Sequence, residues 1–343
     1  MDIAVLGAGT WGIALARLLS NSGHAVTVWS ALPEELEELN KLRRHRNLPG
    51  MEIPSAIGFT SAIETACAGR DVIVFAVPSV FVRATARKAA PFLREGQIVV
   101  DVAKGIEPET FLTMSEIIRS EIPHVKVVAL SGPTHAEEVA RDLPTTIVSA
   151  CEDLSSAEFV QDVFGNSVLR VYTNTDVKGV ELCGALKNII ALATGISDGL
   201  GFGDNTKAAL ITRGLAEIER LGLKMGCVPA TFSGLAGMGD LIVTATSRHS
   251  RNGRCGYYIG CGDEPEEARK KVGMVVEGIN ALPAAVGLAR KYGVEMPITK
   301  AVDDIISGRL SAWDAVQQLM GRSYKAEVPL TAVRGDQRTA SNE

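Results

Sequence analysis

The sequence predicts an α/β protein in two parts: a doubly wound domain on a parallel sheet, followed by a mainly α-helical domain. Three observations carry this. Short runs that are apolar throughout alternate with helical patterns over the first half of the chain, a glycine-rich turn follows the first run directly, and long helical segments take over after about residue 179. A chain of 343 residues also exceeds what one hydrophobic core usually organises, which favours two domains.

Residues 3–6, 26–29, 72–77, 98–102 and 127–130 are each too short for a helix. Apolar on both faces and separated by helical stretches, they imply a parallel sheet covered on both sides. Further runs at 145–149 and 168–172 extend that sheet, and residues 152–164 read as a helix with Asp153 or a neighbouring serine as its cap. This first domain spans 1–179.

The second domain, 180–331, has helical segments at 180–195, 207–222, 274–292 and 311–320. In the second of these, Leu210, Ile211, Leu215, Ile218 and Leu221 recur at helical spacing as a core stripe, with Arg213, Glu217 and Glu219 on other faces. Residues 332–343 are polar enough to form a disordered tail.

A net charge of -5 gives no bulk attraction for polyanions, so nucleic acid and anionic membrane surfaces are not expected partners. The N-terminus has no basic region followed by a long apolar stretch, and no apolar run reaches spanning length, so neither a signal peptide nor a membrane span is expected. The six cysteines include no C-x-x-C pair and read as reduced thiols of a cytoplasmic protein. Cys255 and Cys261 lie close together, but Gly256 and Gly260 beside them suggest a turn-rich loop, and no metal is expected.

Gly7-Ala8-Gly9-Thr10-Trp11-Gly12 fits G-x-G-x-x-G between the first strand and the helix beginning at Ile13, the context of a Rossmann-type dinucleotide site. Gly7 permits the tight turn, Gly9 lets backbone approach a pyrophosphate, and Gly12 lets helix pack on strand. The helix N-terminus then faces the anion. The second strand ends in Ser30-Ala31-Leu32, not in the acidic residue that holds a ribose 2'-hydroxyl. Arg43, Arg44 and Arg46 follow a helix later; they either fold back onto a 2'-phosphate or form a solvated face, which leaves NAD and NADP both open.

Lys187-Asn188 sits among apolar and small residues in Glu181-Leu-Cys-Gly-Ala-Leu-Lys-Asn-Ile-Ile-Ala. Desolvation there lowers a lysine's pKa and makes it a usable acid or base near neutral pH, the group an alcohol dehydrogenase needs. Polar residues also stand among glycines in Ala103-Lys104-Gly105-Ile106, Ser131-Gly132-Pro133-Thr134-His135-Ala136 and Gly237-Met238-Gly239-Asp240-Leu241. Residues 247–254, Ser-Arg-His-Ser-Arg-Asn-Gly-Arg, collect cations and donors suited to a phosphate.

With Ile-Thr-Arg-Gly-Leu-Ala-Glu at 211–217 and Val-Val-Glu-Gly at 275–278, these segments, in their order along the chain, resemble the bacterial type of NAD(P)-dependent glycerol-3-phosphate dehydrogenase from the first strand to about residue 325. The resemblance implies interconversion of dihydroxyacetone phosphate and sn-glycerol 3-phosphate with NAD or NADP and no metal, supplying phospholipid synthesis. It implies that Lys187 takes the substrate proton in oxidation and returns it in reduction. Lys104 would lie beside cofactor and substrate, Gly132 and Thr134 along the substrate, and Ala136 against the cofactor. Asp240, Ser250, Arg251 and Asn252 would complete the substrate site, with Arg251 also reaching the cofactor and Val275 and Glu277 near the nicotinamide. Gly7, Gly9, Thr10, Trp11 and Gly12 would hold the dinucleotide.

On physical grounds, Asp240 would orient Lys187 and balance its charge, while Arg251 and Asn252 hold the substrate phosphate. The sequence departs from the family at Ala31 and Leu32, where many relatives have His or Arg. Competing readings are a reductase of another oxo acid, such as a hydroxyacid dehydrogenase or ketopantoate reductase, and a nucleotide-responsive sensor without chemistry. The Ser-Arg-Asn loop opposes the first and Lys187 the second. A homodimer is left open, since helical second domains of this kind often carry a dimer surface.

Overall fold

The computed structural model describes residues 1–327, so the tail expected at 332–343 lies outside the described residues. Eight strands form one sheet: β1 (Asp2–Leu6), β2 (Ala25–Trp29), β3 (Gly58–Thr60), β4 (Val72–Phe75), β5 (Ile98–Asp101), β6 (Lys126–Ser131), β7 (Thr145–Ala150) and β8 (Leu169–Asn174). The spatial order is β3-β2-β1-β4-β5-β6-β7-β8. Helices in this part are α1 (Thr10–Asn21), α2 (Pro33–Leu42), α3 (Ile63–Cys67), α4 (Val82–Ala89), α5 (Met114–Glu121), α6 (Ala136–Val139) and α7 (Leu154–Phe164). Asp153 is the N-cap residue of α7, although its carboxylate is taken by the hydroxyls of Ser155 and Ser156 at 2.7 Å each.

Strands β1, β4, β5 and β6 each feed cores on both faces. Ile3 and Val5 enter the cluster on one face of the sheet, whereas Ala4 and Leu6 enter the cluster on the other. That double burial is why the strands read as unbroken apolar runs. The sheet is mostly parallel, but β6 and β7 pair antiparallel, which corrects the all-parallel expectation. The connection between them, residues 132–144, carries only the four-residue α6 and no full crossover helix. β3, three residues beginning with glycine, carries no periodicity from which to read a strand.

The rest is helical: α8 (Val177–Gly199), α9 (Asp204–Lys224), α10 (Pro229–Ser233), α11 (Asp240–Thr246), α12 (Arg251–Gly260), α13 (Pro265–Val272), α14 (Glu277–Tyr292), α15 (Pro297–Ile306) and α16 (Ala312–Met320). Asp176 caps α8, its carboxylate accepting from Gly179 N at 3.0 Å, so the boundary expected at 179 falls inside the first turn of this helix. By length and hydropathy α8 is apolar enough to cross a membrane, but its apolar window is wholly buried in the protein, as befits a core helix.

The segment from Cys255 to Cys261 is not a turn-rich loop: most of it belongs to α12, with Cys255 buried and Cys261 just past its end. Its glycines serve a helix crossing. A Cβ on Gly256 would overlap the Leu192 carbonyl of α8, and one on Gly195 would overlap the Gly253 carbonyl of α12. The two backbones therefore touch. On α9, Ile218 and Leu221 are buried while Leu210, Ile211 and Leu215 pack half-buried on the same cluster. Glu217, expected on another face, is 2% exposed and accepts from Ile298 N at 2.7 Å and Thr299 N at 3.2 Å. It satisfies backbone donors that open α15.

Candidate active site

Strand order reverses between β1 and β4, and ligands of open α/β sheets bind at the carboxyl ends of the strands beside such a switch. Gly7 leaves β1 at φ +130°, and a Cβ there would lie 2.6 Å from the Ala76 carbonyl. Gly12 packs so tightly on Gly7 that its own Cβ would overlap the Gly7 carbonyl. Gly9 is the N-cap of α1, with no side chain capping the helix and no atom within 4 Å of where its Cβ would stand. Open space over an uncapped helix N-terminus is what a pyrophosphate needs, so these residues fit a dinucleotide. Thr10 accepts from Asn47 Nδ2 at 3.3 Å, and Trp11, half-buried, packs on the core below.

Along the same edge, the segments after β4, β5 and β6 present Ser79, Lys104 and Gly132–Thr134 to the helical part. The Gly132 carbonyl accepts from Lys104 Nζ at 3.1 Å and from Thr134 Oγ1 at 3.2 Å, and Ala136 is buried at the start of α6. Facing them is Lys187, 5% exposed in mid-α8. Its ammonium donates to Asp240 Oδ1 and, at 2.6 Å, to Thr244 Oγ1. Asp240, 1% exposed at the start of α11, also takes Lys104 Nζ on Oδ2 at 2.7 Å.

One buried carboxylate thus serves two lysines from the two parts of the chain. Burial pushes the Lys187 pKa down to about 7; Asp240 opposes the shift and the Lys104 charge adds to it. A lysine so placed exchanges protons at neutral pH.

Thr244 is a site residue the sequence reading missed. It lies four residues after Asp240 and therefore on the same helix face, so the spacing held the signal. Its hydroxyl donates to the Asp240 carbonyl at 2.6 Å, leaving its lone pairs toward Lys187.

The remaining expected residues divide into contacts and scaffold. Ser250, 3% exposed, is the N-cap of α12 and accepts from Gly253 N at 3.0 Å. Asn252 donates to Asn188 Oδ1 at 2.9 Å and accepts from Gly278 N at 2.8 Å. Its amide therefore first ties α12 to α8 and α14, with one N–H left over. Arg251 alone of this trio is exposed, in the first turn of α12, with the charges of Glu277 and Glu137 facing it. Glu277, opening α14, accepts from Ser79 N at 3.1 Å and Ser79 Oγ at 2.6 Å, so it joins the helical part to the end of β4; Val275 lies half-buried just before it. Ser79 was not foreseen, and nothing in its local pattern marks it.

Arg43 and Arg44 are engaged away from the cofactor edge. Arg43 donates to the Ile57 carbonyl at 2.8 Å and to Asn40 Oδ1 at 2.8 Å, and Arg44 pairs with Glu52 at 3.5 Å.

Comparison with known proteins gives the family. Residues 2–157 match the family model for the N-terminal part of NAD-dependent glycerol-3-phosphate dehydrogenase, and residues 176–317 the model for its C-terminal part. The chain belongs to the NAD-dependent glycerol-3-phosphate dehydrogenase family. It is thereby an oxidoreductase that works with a nicotinamide dinucleotide.

This dehydrogenase is 64% identical over 332 residues to a glycerol-3-phosphate dehydrogenase (NAD(P)+) of Lactobacillus delbrueckii subsp. bulgaricus, covering 95% of this chain and 98% of that one. It is 52% identical over 326 residues to one of Agathobacter rectalis, covering 95% and 97%. A crystal structure of glycerol-3-phosphate dehydrogenase from Coxiella burnetii superposes with a TM-score of 0.90 at 36% identity, over 94% of this chain and 99% of that one. A ketopantoate reductase from Ralstonia eutropha shares the fold alone, at 16% identity and a TM-score of 0.64, over 92% of this chain and 100% of that one. Among the described residues of the dehydrogenase, no cluster of three His, Cys, Asp or Glu side chains is arranged to hold a metal.

Proposed function

We propose that the chain interconverts dihydroxyacetone phosphate and sn-glycerol 3-phosphate, with Lys187 moving the hydroxyl proton. The observation that carries this reading is a buried lysine gripped by Asp240 and Thr244 where the two parts of the chain meet, a burial that pushes its pKa down to about 7. Held at the Gly7–Gly12 turn, a nicotinamide dinucleotide would supply hydride transfer to or from the substrate carbon. In the oxidising direction neutral Lys187 takes the proton from the C2 hydroxyl; in the reducing direction the ammonium returns it to the ketone oxygen.

Asp240 positions Lys187 and lowers the cost of its charge. Lys104, itself held by Asp240 and the Gly132 carbonyl, directs a second ammonium at the same recess. Arg251, the N-terminal backbone of α12 and the spare N–H of Asn252 receive the substrate phosphate. Phosphate binding at a distance from the reacting carbon then fixes that carbon in place, so its loss lowers turnover as well as affinity.

Replacing Lys187 by Ala tests the assignment: turnover falls by at least ~10² while cofactor binding persists. Near-normal turnover removes Lys187 from the role, and wild-type protein that binds cofactor without turnover returns the sensor reading. The same reading includes cytoplasmic location, a homodimer and supply of glycerol 3-phosphate to phospholipid synthesis. All six cysteines are free thiols, as suits a reducing compartment, and sedimentation at assay concentration tests the dimer.

A further inference from the structure

We propose that Glu35, held in place by Ser30, selects NAD(H) over NADP(H) in this chain. The inference rests on the dinucleotide site described above. β2 lies beside β1, with Gly7 N donating to the Trp29 carbonyl at 2.8 Å, so the residues after Trp29 flank the glycine turn. In this fold the adenosine ribose lies at that strand end, where a carboxylate binds its 2'-hydroxyl and repels a 2'-phosphate.

The strand end itself has none, but Ser30, 6% exposed, donates to Glu35 Oε2 at 2.8 Å and accepts from Leu32 N at 3.2 Å. The first turn of α2 is thereby folded back, and a half-buried carboxylate stands one hydrogen bond from the strand end. The serine fixes Oε2, and Oε1 remains to accept from a ribose hydroxyl. Glu34 stands next to it in the same turn, so the N-terminus of α2 carries two negative charges where a phosphate would need none.

Arg43 and Arg44 do not offset this. Arg43 is committed to the carbonyls of Pro54 and Ile57 and to Asn40, while its guanidinium lies over Phe59; Arg44 faces Glu52. His45 is buried, and burial lowers its pKa against the opposing charge of Glu35, which disfavours its cationic form. Arg46 is exposed and adjoins Asn47, which touches Thr10 of the glycine turn, so it is the cation placed to oppose Glu35.

The test uses the full chain and measures dissociation constants for NADH and NADPH by nicotinamide fluorescence, alongside kcat/KM for each with dihydroxyacetone phosphate. NADH is expected to bind at least ~10-fold tighter, because like charges in contact are strongly unfavourable. Glu35→Gln should bring the two constants together, chiefly by improving NADPH, and Ser30→Ala should give an intermediate ratio by releasing the carboxylate. Thermal melts confirm that both variants fold. Equal binding in wild type, or a ratio unmoved in Glu35→Gln, overturns the proposal and leaves the enzyme reading intact. NADPH preference abolished by Arg46→Ala assigns the selection to Arg46 and overturns it too. Failure to bind either dinucleotide overturns the cofactor site itself, a separate outcome.

Discussion

Replacing Asp240 by Asn keeps the side-chain shape and removes the one carboxylate that two ammonium groups share. Lys187 binds one of its oxygens and Lys104 the other at 2.7 Å, with Asp240 itself 1% exposed. In the wild type, Asp240 is the main influence holding the Lys187 pKa up against burial and against the Lys104 charge. A charge-assisted hydrogen bond contributes about 1.5–3 kcal/mol, which at about 1.36 kcal/mol per pH unit moves the titration down by one to two pH units. The proton-donating form of Lys187 then falls roughly tenfold to a hundredfold at pH 7.5, and dihydroxyacetone phosphate reduction falls with it. Glycerol 3-phosphate oxidation, which needs the neutral lysine, keeps its ascending limb but at lower pH.

Stability shows the same titration with a definite sign. Lys187 titrates near 10.5 when unfolded and about 7 when folded, so between these values the folded state binds fewer protons and stability rises with pH. Below about 7 the wild type retains the charged lysine against Asp240. The variant loses that pairing, so its deficit in melting temperature is larger at pH 6 than at pH 9. Profiles of kcat/KM against pH in both directions, with melts at the two pH values, make the comparison. A limb that stays at its wild-type position while turnover falls would refute Lys187 as the titrating group and reduce Asp240 to a structural part.

Thr244→Val removes the oxygen that accepts from Lys187 at 2.6 Å and should lower kcat about tenfold while leaving NADH binding unchanged; Thr244→Ser, which keeps the hydroxyl, should restore it. Gly12→Ala places a Cβ on the Gly7 carbonyl, so a fluorescence titration with NADH should show binding lost and a melt should show lower stability. Gly256→Ala pushes α12 off α8, which should cost about 1–3 kcal/mol in denaturant unfolding and raise KM for the phosphorylated substrate through displacement of Arg251. Wild-type stability in that variant would mean that the two helices part without strain.

Much of the first domain was legible because its strands are buried twice over: Ile3 with Val5, and Ala4 with Leu6, fill separate cores and leave no polar position in the run. Lys187 was legible for a related reason, since a cation in an otherwise apolar helix has few explanations besides chemistry. The rest depended on contacts between distant segments. Gly256 and Gly260 are poor helix formers and read as turns, yet close approach to α8 makes glycine the residue that fits there. Glu217 follows surface spacing on α9 but is claimed by the first turn of α15. The direction of β7 depends on how little helix separates it from β6, which apolar patterning does not register. Asn252, assigned to the substrate by motif, turns out to join three helices before it can touch a phosphate.

The measurement that bears most directly on the catalytic assignment is NADH oxidation by purified protein with dihydroxyacetone phosphate, set against unphosphorylated dihydroxyacetone. Turnover is expected with the phosphorylated ketone, with both kcat and affinity falling when the phosphate is absent. Equal turnover with the two ketones, or none with either, would contradict a site in which Arg251 anchors a phosphate and Lys187 moves the proton.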